Sequence, residues 1–250
     1  MAVTGQKLYQ RVAAAITDAI QSGRYTPGAR LPGERDLAEE FAVSRPTIRE
    51  AMIALEIRGL IEARHGSGLY VTNTAPTDTA PLELDIGAFE LTEARILFEG
   101  ETAALAATVM TEEKLARLES IVREMANSPN PDMRVEQADR RFHLEIATAT
   151  DNSAIRSVVE MLWDIRYRSP LCVHMFAKAS RGGINPRIDE HRAILDALAS
   201  GDPQAARAAM HNHLRRVIED ILAATEMEAV ERARSEISAR RSEIARRITL

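Results

Sequence analysis

Cysteine is all but missing from this 250-residue chain: Cys172 stands alone, which excludes an internal disulfide framework and any zinc site built on thiolates. Aromatic residues make up only 4%, too few for a typical β-sandwich core, while abundant alanine favours helices packed through small side chains. No apolar run approaches the ~18 residues of a membrane span, and the N-terminus carries no apolar core of a secretory leader. A cytoplasmic protein with no membrane partner is therefore expected. An excess of positive charge is lacking too: the formal net charge is −5, so the molecule as a whole is no polyelectrolyte binder. The charge is unevenly placed, with nine Lys and Arg against eight Asp and Glu in residues 1–73 and the entire deficit beyond them. A near-neutral head on an acidic body fits a nucleic-acid-reading module on a regulatory domain as well as it fits a mixed solvated surface.

What is present divides the chain. Leu8, Val12, Ile16 and Ile20 step along one face of a helix from about Gln6 to Ser22. Gly23 and Pro27-Gly28 end it. A short helix follows from Glu34 to Phe41, and Ser44 is placed to cap a third that runs to Arg58, with Pro46 in its first turn and Gly59 at its stop. Two short strands, Leu60–Ala63 and Leu69–Thr72, flank a glycine-bearing turn at 64–68. Residues 74–88, rich in Thr, Pro and Ala, read as a linker. Beyond it the pattern is helical throughout, over about 90–108, 111–127, 132–149, 153–168, 184–199 and 203–225, with Asp202-Pro203 as the start signal of the last. The fold class expected is mainly α: a winged helix-turn-helix at 1–73 joined to an all-α bundle at 89–227. The tail 228–250 repeats Val230, Ile237 and Ile244 every seven residues, compatible with a solvated helix or with packing on a partner subunit.

In the head, Gly28-Ala-Arg-Leu-Pro-Gly-Glu-Arg35, Ser44-Arg-Pro-Thr-Ile-Arg-Glu50 and His65-Gly-Ser-Gly-Leu-Tyr-Val71 recur at the intervals a winged helix-turn-helix needs. Arg45, Thr47 and Arg49 occupy the first turns of the third helix, the end that enters a major groove. Arginine's planar fork suits guanine O6 and N7. Arg35 opens the second helix, where its charge and the helix amides both favour an anion. His65 is the tip of the wing, and Gly66 and Gly68 allow the backbone to approach the minor groove. A single surface arginine is usually just solvated; the joint pattern is what carries the reading. These residues resemble the winged helix of the GntR family of bacterial transcription regulators, through Pro27-Gly28, Leu31-Pro32, Glu34-Arg35, Val43-Ser44-Arg45, Thr47-Ile48-Arg49-Glu50 and Gly66-Ser67-Gly68. The resemblance implies double-stranded operator DNA as partner, contacted by Arg35, Arg45, Arg49, His65 and Gly66.

In the body, Asp139 and His143 lie four apart on one helix face, at the edge of the stripe Val135, Phe142 and Ile146. His191 shares the inward face of Ile188, Leu195 and Leu198; His213 lies among Ala206, Met210, Val217 and Ile221. Three histidines and an aspartate turned inward from three helices match a borderline divalent metal, Zn²⁺ first, with Ni²⁺ or Mn²⁺ as alternatives. The bland reading is a polar network without metal. His211 points away and reads as surface. Arg95 shares the stripe of Leu91, Ala94, Phe98 and Leu105, and Arg166 sits amid Ile155, Val159 and Leu162. A buried cation needs an anion: Glu99, one turn after Arg95, or the carboxylate of a small effector held by arginine and metal together.

The marks Glu93-Ala-Arg95 with Glu99, Asp139-x-x-Phe142-His143, Asp151-Asn152, Glu190-His191 and Met210 with His213-Leu214 resemble the all-helical ligand-binding (FCD) domain of the FadR-type branch of GntR regulators. That resemblance implies a divalent metal on Asp139, His143, His191 and His213 and a carboxylate metabolite beside it. Leu162-Trp163-Asp-Ile-Arg166 with Ser169-Pro170 looks most like members that respond to hexuronates such as glucuronate or galacturonate. The expectation is a homodimeric repressor that leaves its operator when a sugar acid binds. The competing function is a metal-dependent hydrolase or lyase, since the same four residues leave positions for an activated water. It lacks an evident general base and leaves the head without a purpose.

Overall fold

The computed structural model describes residues 7–64, 68–73, 86–127, 133–181 and 187–224. The chain forms two units: Met1–Asp85, grouped with Leu222–Leu250, and Ile86–Ile221. In the first unit α1 (Leu8–Gln21), α2 (Glu34–Phe41) and α3 (Arg45–Ile57) precede a hairpin of β1 (Ile61–Arg64) and β2 (Gly68–Val71). Its core joins Val12, Ala13 and Ile16 of α1 to Leu37, Ile48, Ala51, Met52 and Leu55, with Ile61 and Val71 beneath. Val12 and Ile16 lie on the buried face of α1 as expected, but its first turn differs. Tyr9 is buried and Leu8 exposed, because the ring at position 9 fills more of the core than a leucine one residue earlier.

Local chemistry sets the turn between α2 and α3. Ser44 caps α3, its Oγ accepting from the Thr47 amide at 3.3 Å, and a proline lies in the first turn. Before it, Ala42 closes α2 at φ 51, ψ 46, in the left-handed region. An L-residue with a Cβ is strained there. The strands pair antiparallel, Ile61 with Val71 and Arg64 with Gly68, the first one residue later and the second one residue earlier than the sequence pattern placed them. A third stretch joins them: Arg30 bridges to Tyr70, and Leu31 donates its amide to the Leu69 carbonyl at 2.9 Å. Pro27-Gly28 at its start masked that stretch as a plain turn. The wing tip, with His65 and Gly66, lies outside the described residues, as do residues 74–85 of the expected linker and the tail 228–250.

The second unit holds α4 (Ala88–Ala107), α5 (Glu112–Asn127), α6 (Met133–Ala149), α7 (Ser153–Arg168), α8 (Pro170–Arg181) and α9 (Ile188–Ala199). A further helix, α10, covers 203–224. Leu118 and Val122 of α5, Phe142 and Ile146 of α6, Ile194 and Leu198 of α9 and Met210 and Leu214 of α10 form its main core against the alanines of α4. Asp202 caps α10 through Oδ1, which accepts from the amides of Gln204 and Ala205. Asn152 caps α7 in the same way. Among the described residues no helix is long and apolar enough to cross a membrane.

Three readings need correction here. Helix α8 has no counterpart among the expected helices, although Ser169, capping with Oγ toward the Cys172 amide, and Pro170 at the first helical position were its signal. Helix α9 begins at Ile188, with the extended Arg187 as its cap residue, so the expected helix does not include 187; its expected start at 184 lies outside the described residues. On α4, Phe98 and Leu105 are exposed while Arg95 is buried. Apolar residues surround α4, so periodicity alone does not say which side faces in.

The left-handed Ala42 makes a direct prediction. Glycine takes that conformation without steric cost, so Ala42→Gly is expected to stabilise the N-terminal unit by up to about 1 kcal/mol. A higher denaturant midpoint for that unit is the readout; a lower one would mean that the turn carries no strain.

Candidate functional site

In the head the sequence-expected arginines occupy three different settings. Arg35 is at the start of α2 with 82% of its side chain exposed, its Nε 3.8 Å from Asp36 and 3.9 Å from Glu39. Arg45 opens α3 and is 55% exposed. Thr47, half-buried, bonds the Ser44 hydroxyl at 2.8 Å. Arg49 is only 3% exposed: its Nε donates to Glu34 Oε2 at 2.8 Å. The first turn of α3 thus offers Arg45 outward and holds Arg49 behind it against α2. At the root of the wing the Arg64 guanidinium lies over the Tyr70 ring, 4.6 Å from its centroid.

In the helical unit, α6 brings Asp139 and His143, α9 brings His191 and α10 brings His213 into one buried cluster, one donor atom from each lying within 4.8 Å of the others. The Nδ1 atoms of His191 and His213 are hydrogen-bonded to an oxygen, and that of His143 is in contact with one. His191 Nδ1 donates to the Arg187 carbonyl at 2.9 Å. His213 Nδ1 lies 3.0 Å from Glu190 Oε2, and His143 Nδ1 lies against Glu99 Oε2. This leaves the Nε2 side of His143 and His191 toward Asp139, with Nε2 to Oδ1 distances of 3.5 and 2.8 Å. The His143 Nε2 atom is buried without a hydrogen-bond partner. When Nδ1 is the protonated nitrogen, a ring's Nε2 and a carboxylate both present lone pairs. Such atoms can share a buried space only around a cation or a proton. The donor set, three imidazoles and one carboxylate with oriented rings, fits a borderline divalent metal.

Electrostatics follow from that crowding. Burial pushes the Asp139 carboxyl up, but the imidazoles of His143 and His191 beside it outweigh that and hold the group well below the usual carboxylate range. Glu99 is likewise opposed by burial, yet the charges of Arg95 and His143 bring it down to about 2. Burial, with His191 and His143 as neighbours, drives His213 well below the usual histidine value, so it is neutral and able to ligate. His143 is raised: burial opposes its charge, and Glu99 overcomes that opposition.

The two arginines flank this cluster. Arg95 is bound through Nε to Glu99 at 2.6 Å, the i,i+4 pair that its sequence position offers. Its Nη2 is buried with no hydrogen-bond partner, and its Cζ lies 4.2 Å from the Trp163 ring centroid. Arg166 sits over the Phe176 ring at 3.7 Å, and Glu136 accepts from its Nη2 at 2.8 Å. Sequence reasoning missed Glu190 and Glu136 as partners, because both act between helices rather than along one. It also placed His211 on the surface, whereas that ring is half-buried against Gly100 of α4.

Comparison with known proteins agrees with both halves. Residues 8–71 match the family described as bacterial regulatory proteins, gntR family, and residues 90–216 match the FCD domain. The Exu regulon transcriptional regulator of Escherichia coli is 36% identical over 214 residues, covering 84% of this chain and 82% of its own. The Uxu operon transcriptional regulator of the same organism is 36% identical over 231 residues, covering 88% and 89%. A GntR-family regulator structure from Pseudomonas syringae shares the fold with a TM-score of 0.51 at 22% identity, covering 89% of this chain and 88% of that one. These relatives are transcriptional regulators, not enzymes. With a DNA-binding head and an FCD domain in one polypeptide, the chain belongs to the GntR family of bacterial transcriptional regulators.

Proposed function

We propose that the protein is a homodimeric repressor that releases its operator when a small carboxylate, a sugar acid such as glucuronate or galacturonate, binds in the helical unit beside a divalent metal. One observation carries this reading: a buried carboxylate and three imidazoles converge from α6, α9 and α10, with each ring's Nδ1 held from outside. Asp139, His143, His191 and His213 would hold the ion, zinc by preference and nickel or manganese as alternatives. Such an ion supplies a Lewis-acid anchor for an effector carboxylate oxygen. Arg95 and Arg166 would add charge at the same place: the buried, unpartnered Arg95 Nη2 is a donor in need of an acceptor. The Exu and Uxu regulators among the relatives favour a sugar acid over other carboxylates.

On the DNA side, Arg35, Arg45 and Thr47 would meet the operator at the exposed ends of α2 and α3, Arg49 would support them from behind, and His65 and Gly66 of the wing would reach the minor groove. A second copy accounts for a two-fold operator. An apolar stripe supports it: Leu97, Phe98 and Leu105 of α4 border a groove with Ala154, Ile155 and Val158 of α7. The release of DNA requires only that the effector bind the DNA-incompetent state more tightly.

Three measurements test this reading. Zinc at a hundred times its Kd is expected to stabilise the wild-type protein by about 2.7 kcal/mol and to leave His191→Ala unshifted. Equal shifts in both would remove the metal from the proposal. Glucuronate or galacturonate is expected to raise the melting temperature of the metal-loaded protein and to lower its affinity for operator DNA. Turnover of the sugar acid would instead point to an enzyme. Arg45→Ala is expected to weaken operator binding by about 1–3 kcal/mol and to flatten its salt dependence; an unchanged affinity and slope would exclude the docking of α3 described above.

A further inference from the structure

Glu34 is the first residue of α2, next to Gly33, which caps the helix with no side chain. A carboxylate is favoured there by the exposed amides of the first turn. Fifteen residues later Arg49 is buried to 3% exposure on α3, and a buried guanidinium requires an anion. Glu34 is that anion: its Oε2 accepts from Arg49 Nε at 2.8 Å. The same oxygen lies 4.0 Å from Arg45 Nη2. One carboxylate oxygen therefore touches the buried arginine and approaches the exposed one, at the end of α3 that a helix-turn-helix turns toward the groove. Glu34 is itself 28% exposed, so its charge faces whatever the head binds.

We propose that Glu34 is a specificity-determining positioning residue of the DNA head. Arg49 fixes the carboxylate from behind. The carboxylate in turn restrains Arg45, so that the guanidinium is presented for bidentate pairing with a base instead of swinging to the nearest phosphate. Its negative charge also opposes backbone-only docking, because non-specific binding comes almost wholly from phosphate neutralisation. Glu34 thus trades total affinity for discrimination. This inference rests on α3 facing the DNA as described under the proposed function.

The test uses full-length protein and two duplex probes: one selected by the wild-type protein from a random pool, and one of random sequence. Glu34→Gln is expected to bind the random duplex several-fold more tightly and the selected duplex several-fold more weakly, so that the ratio of affinities falls at least ten-fold. A ratio within two-fold of wild type overturns the proposal, whatever happens to the melting temperature. Because Glu34→Gln removes the carboxylate that Arg49 Nε bonds, the double variant Glu34→Gln/Arg49→Met removes both charges of that pair. If Glu34 acts through Arg49, the double variant loses no more discrimination than Glu34→Gln alone; a further loss equal to that of Arg49→Met alone refutes the linkage. Arg45→Ala separates the two ideas. Unchanged binding of both probes by that variant defeats the docking of α3, whereas a loss there with an unchanged Glu34→Gln ratio defeats only the role of Glu34.

Discussion

A carboxylate removed from water must be paired, and the helical unit is arranged around that requirement. Asp139 is buried among His143, His191 and His213, and each ring is in turn held by an oxygen outside the cluster. Removing one partner would leave another polar atom stranded in a dry core, where an unmet hydrogen bond costs more than a made one contributes. The cluster therefore constrains α6, α9 and α10 together, and Glu99 extends the constraint to α4. Packing of Phe142 against His143 and His191, with ring centroids 5.9 and 5.0 Å apart, closes the apolar side of the same arrangement.

The head solves a related problem with opposite means. One of its buried charges, Arg49, meets the Glu34 carboxylate at the edge of the core, while Arg35 and Arg45 are left largely in water. A reading surface has to stay solvated until DNA displaces the water, whereas an ion or effector site gains strength from being dry. The exposed arginines of the head and the buried Asp139 cluster differ in this respect within one polypeptide.

Much of this was legible in the sequence, for identifiable reasons. Ser44 with Pro46, and Asp202 with Pro203, are start signals whose mechanism is local, and the structure places a helix start at each. The inward phase of Asp139, His143, His191 and His213 follows from apolar neighbours on the same helices, so their burial could be read helix by helix. What remained hidden depends on tertiary context. The pairs Glu190 with His213 and Glu136 with Arg166 join residues 23 and 30 positions apart, which no helical period connects. Ala42 in the left-handed region has no local signature, since alanine is not a residue that seeks it. Arg49 was read as an outward residue from the motif, although it adjoins the stripe of Ile48 and Met52 that packs on the head's core.

Helix α8 has a mechanical meaning that its absence from the sequence reading concealed. The hydroxyl of Ser169, just before it, and the thiol of Cys172, within it, both donate to the carbonyl of Ile86, at 2.7 and 3.1 Å. Ile86 is the first residue of the helical unit. The helical unit therefore begins at a carbonyl held by two donors from the start of α8. Phe176, on the same helix, carries the guanidinium of Arg166 on its ring. Within about one turn, the start of α8 thus contacts both Arg166 of α7 and the residue at which the helical unit begins, so the packing of one is tied to the packing of the other.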